Sequence, residues 1–281
     1  SLQFTPVSED LERLYNERLK PVARVPYVKC EGHIVPEYFR NFTDDIFNFE
    51  IRDDDIWVCS FPKTGTTWTQ EMVWTIANDL DFEGAKTPLS LRFPFLEMST
   101  NGLQKSLEGT CEIPPFLENS INYARNLPSP RFLKTHLPFH LLPLQLQRGQ
   151  TGAKIVYVAR NAKDTCLSYY HHSQLFMGYS GTLDEFCYLF HNESCLTLVS
   201  WRGNSCSGMW DRTQRGLGIA STNPTESEMV SVTSPLSFPN RAVNSTIGLR
   251  ILMRVERAAS KSKLFMMHQT ISKVQVLPVL G

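Results

Sequence analysis

Apolar positions cluster into three patterned stretches, each leading into a turn or a break. The first begins with Ile56 to Cys59, an unbroken apolar run that reads as a short buried strand. A turn marked by Pro62 and Gly65 follows. Trp68, Met72, Val73, Ile76, Ala77 and Leu80 then recur on one face of a 3.6-residue period, which predicts a helix. The second stretch, Arg131 to Thr135, reads as a strand that ends at His136 and is stopped by Pro138. The third, Ile155 to Ala159, is apolar throughout, as a strand buried on both faces should be. Asp164 is expected to cap a helix running to about Phe176, with Cys166, Leu167, Tyr170 and Gln174 spaced along it. Strands alternating with helices predict an α/β fold, a mostly parallel sheet flanked by helices.

Elsewhere the pattern is weaker. Residues 1 to 36 mix charges with prolines and read as an irregular N-terminal arm holding one short amphipathic helix, Asp10 to Leu19. Residues 37 to 55 read as a helix ending in a loop. Leu89 to Pro115 is rich in Pro, Gly and Ser and predicts a long surface loop.

Composition narrows the classes. The 281 residues are 42% hydrophobic, enough for a sizeable core. Lys plus Arg and Asp plus Glu both number 28, which argues against a dedicated nucleic-acid or anionic-membrane binder. No apolar run approaches membrane-spanning length. The seven cysteines are scattered without C-x-x-C pairs and read as reduced thiols. The N-terminal residues carry no basic region followed by an apolar one, and with the thiols this sets the expectation of a cytoplasmic protein.

The chemistry starts at the first strand. A strand, a tight turn and a helix place backbone N–H groups at the strand's carboxyl end, where phosphate-like anions bind. Lys63 adds a full charge there, and Thr64, Thr66 and Thr67 add hydroxyls. The P-loop pattern G-x-x-x-x-G-K-[ST] is not met, because Lys63 precedes Gly65 and the upstream glycine is missing. From these residues alone, a P-loop-like anion-binding loop and an ordinary strand-to-helix turn both remain open. Lys134 and His136 stand two apart on an extended strand and so share a face. A cation beside an imidazole suits an anion site with a base next to it, although a lone His is often structural. Arg160 sits where the third strand emerges. It can meet Ser168, eight positions on, only if the intervening loop folds back.

Phe61-Pro-Lys-Thr-Gly-Thr-Thr-Trp68 resembles the 5′-phosphosulfate loop of the cytosolic sulfotransferases. Lys134-Thr-His-Leu-Pro138 is similar to that family's catalytic-histidine segment, and Lys154 to His171 reads almost as its 3′-phosphate segment does. The likeness covers roughly residues 10 to 190. It implies 3′-phosphoadenosine 5′-phosphosulfate (PAPS) as cofactor, no metal, and sulfonate transfer to a hydroxyl or amine of a small apolar acceptor, a phenol or steroid. It implies catalytic roles for His136, Lys63 and Lys134. The cofactor would be held by Lys63, Thr64, Gly65, Thr66, Thr67, Trp68, Arg160 and Ser168, with Trp68 on the adenine. Phe95 and Met98 would wall the acceptor pocket, with Tyr169 and His172 as further candidates. The expected partner is that small acceptor, not a nucleic acid or a membrane. Two alternatives stand beside this reading: an inactive sulfotransferase-like protein, and a P-loop-type nucleotide kinase.

The likeness stops at about His191. Residues 1–190 hold 27 of the 31 aromatics, and residues 191–281 hold four. The net charge changes from −5 to +5 across the same boundary. A sulfotransferase would continue with a Tyr-Glu-Asp-Met segment, then an Arg-Lys-Gly loop and Gly-Asp-Trp-Lys, none of which is present. The expected organisation is therefore an incomplete α/β domain over 1–190 and a divergent tail of low order over 191–281, in which only Leu249 to His268 looks mildly helical. A shifted reading frame, a retained intron and an alternative exon would each produce such a break. The family's C-terminal dimer segment is not seen, so a homodimer stays open.

Overall fold

The computed structural model describes residues 2–20, 25–102, 104–105, 109, 112–192, 194 and 218–221. Its centre is a parallel sheet of four strands: β4 (Ile56–Ser60), β5 (Phe132–Thr135), β6 (Lys154–Ala159) and β7 (Gly218–Ser221), in the order β5-β4-β6-β7. β4 is the pivot. Val58 is in register with Lys134 on one side and Val156 on the other. All five β4 residues are buried. Because side chains alternate along a strand, Trp57 and Cys59 enter the large core with Leu133 and Tyr157, while Ile56 and Val58 join Phe93, Phe132 and Val158 in a second cluster.

β6 is less enclosed than its apolar run predicts. Tyr157 and Val158 are buried, while Ile155, Val156 and Ala159 are half-buried. β7, paired in parallel with β6, belongs to the stretch read as a divergent tail. The mildly helical Leu249–His268 segment lies outside the described residues.

Further expectations are corrected. The N-terminal arm is not irregular. β1 (Phe4–Pro6), β2 (Tyr27–Cys30) and β3 (His33–Pro36) form an antiparallel sheet, with the helix Glu9–Arg18 between the first two. The signal was a two-residue hairpin: Glu31 and Gly32 both have positive φ (49° and 85°), as the tightest hairpin turn requires.

Within Leu89 to Pro115, the part from Phe93 to Thr100 is not a surface loop either. Phe93, Leu96, Glu97, Ser99 and Thr100 are all buried. Residues 94–96 run alongside β5: Lys134 N–H donates to the Pro94 carbonyl, Leu96 N–H donates to the Lys134 carbonyl, and both bonds are 2.9 Å. The hydroxyls of Ser99 and Ser120 bond each other at 2.8 Å, and Ser120 donates to the Leu96 carbonyl at 2.6 Å, so the buried polar groups find partners.

The helix Thr66–Ala77 buries Thr66, Thr69, Gln70 and Thr75 rather than its apolar face, and Trp68 is 50% exposed. The reason is polar: Gln70 donates to the Phe93 carbonyl at 3.1 Å, and the Thr69 hydroxyl donates to the Gly65 carbonyl.

After β6 the helix Ala162–His172 is capped by Asn161, whose side chain accepts the Lys163 N–H, and not by Asp164. It buries Thr165, Cys166 and Tyr169 but leaves Leu167 exposed. From Ser173 to Met177 the chain widens into a π-turn, which ends the 3.6-residue period before Phe176. The helix Leu183–His191 follows, opened by a reciprocal Thr182–Glu185 capping box.

The amino ends of β4 and β5 are joined by a bidentate pair. Arg131 Nε and Nη2 donate to Asp55 Oδ1 and Oδ2 at 2.8 and 2.6 Å, and both side chains are almost fully buried. The opposite, carboxyl ends of the strands carry the cations described next.

Candidate active site

The loop after β4 is shaped by two residues in the left-handed region. Lys63 has φ 67° and Gly65 has φ 104°. For a lysine that conformation costs about 1–2 kcal/mol, and such strain concentrates at functional turns. The helix Thr66–Ala77 begins at once, and no side chain among the described residues caps its N-terminus. Its first N–H groups and the positive end of its dipole therefore face the loop. Arg160 reaches the same turn from the end of β6, where Nη1 donates to the Lys63 carbonyl at 3.3 Å.

The threonines divide. The Thr64 hydroxyl is buried and donates to the Phe61 carbonyl at 2.8 Å, tying the turn to its own start. The Thr66 hydroxyl meets Ser60 Oγ at 2.6 Å. Thr67 and Trp68 face outward.

At the end of β5, Lys134 and His136 do share a side, and Phe95 lies against both. Lys134 Nζ stands 4.5 Å from the Phe95 ring centre, and the His136 ring meets that of Phe95 edge-on at 5.1 Å. His136 Nδ1 lies 2.7 Å from the Ser60 carbonyl and 3.1 Å from Ser60 Oγ. A carbonyl only accepts, so Nδ1 carries the proton and the basic lone pair is on Nε2. Burial, then the Lys134 charge, hold this imidazole well below its usual range, with His172 adding to the effect and the bond to Ser60 opposing it. His136 is therefore neutral at physiological pH.

The other basic groups affect one another in the same way. Burial brings the Lys134 ammonium down to about 8, helped by Lys63 and opposed by Glu97. Burial, then Lys63 and Lys134, bring His172 down to about 4. Burial and the neighbouring positive charges thus lower the proton affinity of Lys134, His136 and His172 together. An arrangement of this kind is relieved by an anion.

The pocket candidates separate. Phe95 and Met98 are half-buried. His172 is half-buried and stacks on Phe176 at 4.6 Å. Tyr169 is fully buried in the core, edge-on to Phe61 and Phe186 at 5.8 and 5.5 Å. Ser168 is half-buried, and among the described residues no hydrogen bond joins it to Arg160. Ser60 and Glu97 belong to the site but were not singled out from the sequence pattern. The signal for Glu97 was a lone acid inside the apolar run Phe93 to Met98.

No helix among the described residues is long and apolar enough to cross a membrane, and no group of three or more His, Cys, Asp or Glu there could hold a metal.

Comparison with known proteins places this geometry. Luciferin sulfotransferase of Photinus pyralis is 43% identical over 175 residues, covering 62% of this chain and 47% of the relative. Sulfotransferase 4A1 of Homo sapiens is 34% identical over 178 residues, covering 62% and 55%. The chain spans about half the length of these curated relatives. Retinol dehydratase, solved in complex with androsterone and the inactive cofactor PAP, superposes with a TM-score of 0.66 at 26% identity, over 79% of this chain and 69% of that one. The same enzyme with retinol and PAP gives 0.65 at 26% identity, over 76% and 67%. The family model for the sulfotransferase domain matches residues 53–216, which takes in the loop, Lys134, His136 and Arg160, and the chain belongs to the sulfotransferase family.

Proposed function

We propose that the protein transfers a sulfonate group from PAPS to a hydroxyl or amine of a small apolar acceptor, of the phenol or steroid class. The observation that carries this reading is the gathering of Lys63, Lys134, His136 and His172 at the strands' carboxyl ends, where burial and then neighbouring positive charge lower the proton affinity of Lys134, His136 and His172. The similar structures hold PAP beside retinol or androsterone, both small, largely apolar alcohols, which supports the donor and the acceptor class alike.

The residues present fit such a donor, because the uncapped helix N-terminus and Lys63 face one turn. When bound, PAPS supplies the sulfonate and a phosphate leaving group. Lys63 and the loop amides neutralise charge at the 5′-phosphate. Arg160, whose planar fork suits phosphate, and Ser168 serve the 3′-phosphate, and the exposed Trp68 offers its face to adenine. Lys134 steadies the sulfonate oxygens, and His136 Nε2 takes the acceptor's proton. Phe95 and Met98 wall the acceptor side. The reading assigns no role to a metal and places the transfer site within residues 1–190.

The test is transfer of label from ³⁵S-PAPS to a panel of phenols and steroids, run beside thermal shift with PAP. Labelled acceptor is the expected result. One second reading stands beside it, a sulfotransferase-like form that binds without turnover. A PAP-induced shift with no transfer would establish that form, and the absence of both would overturn the family function for this chain.

A further inference from the structure

Two thiols meet where the helices Ala162–His172 and Leu183–His191 pack. Cys166 Sγ and Cys187 Sγ lie 3.5 Å apart, although 21 positions separate them in the chain. Cys166 is buried, and Cys187 is the one exposed thiol among the described cysteines. Both are held by their surroundings. Next to Cys187, the ring of Phe186 meets those of Tyr169, Tyr170 and Tyr179 edge-on at 5.5, 5.6 and 5.4 Å. Glu185 is fixed by its capping box with Thr182 and by Arg18, whose Nη2 donates to it at 2.7 Å. Beside Cys166, Thr165 is buried and its hydroxyl donates to the Asn161 carbonyl at 2.9 Å. The meeting of the two sulfurs is therefore set by helix packing.

We propose that Cys166 and Cys187 are a reversible dithiol–disulfide pair, oxidised by a low-molecular-weight disulfide such as oxidised glutathione, whose closure locks the helix carrying Ser168 and His172 to the helix Leu183–His191. The exchange takes two steps. The Cys187 thiolate attacks one sulfur of the oxidant, the oxidant's S–S bond breaks, and the first thiolate leaves and takes up the proton that Cys187 gave up. The Cys166 thiolate then attacks the Cys187 sulfur, and the second thiolate leaves and takes up the proton from Cys166. Two electrons pass from the protein to the oxidant, which is reduced to two thiols. Exposure makes Cys187 the point of entry. Burial, then the hydrogen bond and charge of Cys187, push the Cys166 thiol up to about 12, so Cys166 does not start the reaction. It completes the reaction because the second step is intramolecular, with the Cys187 sulfur already in contact. The sulfurs have only to close from 3.5 Å to about 2 Å. Excess thiol runs the same steps backwards. The pair stands independently of the sulfonate-transfer reading.

In the test, the full chain is incubated with oxidised glutathione, alkylated with iodoacetamide, and cut with trypsin and Glu-C without reduction. Glu185 separates the two cysteines and Glu193 separates Cys187 from Cys195, so the bond is read as residues 164–185 joined to residues 186–193. That single cross-linked product is expected from the native chain, and dithiothreitol should remove it. In urea the seven cysteines should instead pair as a mixture. Closing a loop of about twenty residues should raise the thermal unfolding midpoint of the oxidised chain by about 5–10 °C over the reduced one. Cys187→Ser, at an exposed position, should abolish both the cross-link and the rise. Glutathione on Cys187 beside alkylated Cys166 overturns the pair, as does one mixture of pairings with and without urea. A cross-link with no rise in the midpoint overturns the lock.

Discussion

The loop after β4 and the end of β5 both present positive charge, but they produce it differently. The loop is half open to water and relies on backbone: a strained Lys63, Gly65 and an uncapped helix end. The end of β5 is buried and relies on side chains, Lys134, His136 and Glu97, whose proton affinities are shifted by burial and by one another. Fixed dipoles attract an anion at any pH, whereas buried titratable groups couple function to pH. The contrast suggests a division of labour, with binding at the loop and chemistry at the strand end.

The largest effect that would sharpen this contrast is at His136. His136→Ala should lower kcat by about 10²–10⁴-fold, the usual worth of a general base, while PAP binding measured by thermal shift stays near wild type. A matching loss of binding would erase the division. Lys63→Ala should cost about 10²–10³-fold in kcat/KM. Because the site is half exposed, PAP binding should also become less sensitive to salt.

The third test is pH. On the proposed mechanism, transfer uses charged Lys134 and neutral His136. Lys134 is lowered to about 8, so kcat/KM should fall about tenfold per unit as pH rises beyond that value. His136 is held below its usual range, so it should impose no acid limb between pH 6 and 7, near the ordinary imidazole value. The smallest effect is at Ser60→Ala. Loss of the hydroxyl between Thr66 and His136 should cost about 1 kcal/mol in denaturant unfolding and leave the pH profile unchanged, because the Ser60 carbonyl still fixes the tautomer.

The three central strands and the loop were legible because unbroken apolar runs and a Pro–Gly turn are local signals. Lys134 and His136 were legible for a similar reason, since alternation along one strand places them together. What escaped depended on distant partners. The helix Thr66–Ala77 shows an apolar stripe, yet its buried side is Thr66, Thr69, Gln70 and Thr75, because Phe93 offers Gln70 a carbonyl that no local pattern reveals. Pro, Gly and Ser between Leu89 and Pro115 looked like a loop. There the serines satisfy a buried backbone through Ser120, more than twenty residues away. Glu97 was hidden for the same reason, because its partner is the amide of His136. The Asn161 cap was missed because Asp164 is the more obvious acid. The acid lies inside the first helical turn, where it meets the dipole but cannot serve as the cap.

The buried Arg131–Asp55 pair also bears on how the chain assembles. It joins residues 76 positions apart, and β4 borders both β5 and β6. During synthesis the central strand emerges first and must wait for each neighbour. At about 5–20 residues per second, the wait for Arg131 alone is roughly 4–15 s. Throughout that interval Ile56, Trp57 and Val58 have no sheet to enter, and Asp55 has no counter-ion. The order of strands in this sheet thus makes its central, fully buried segment an apolar exposure of the nascent chain, one that a chaperone would have to cover.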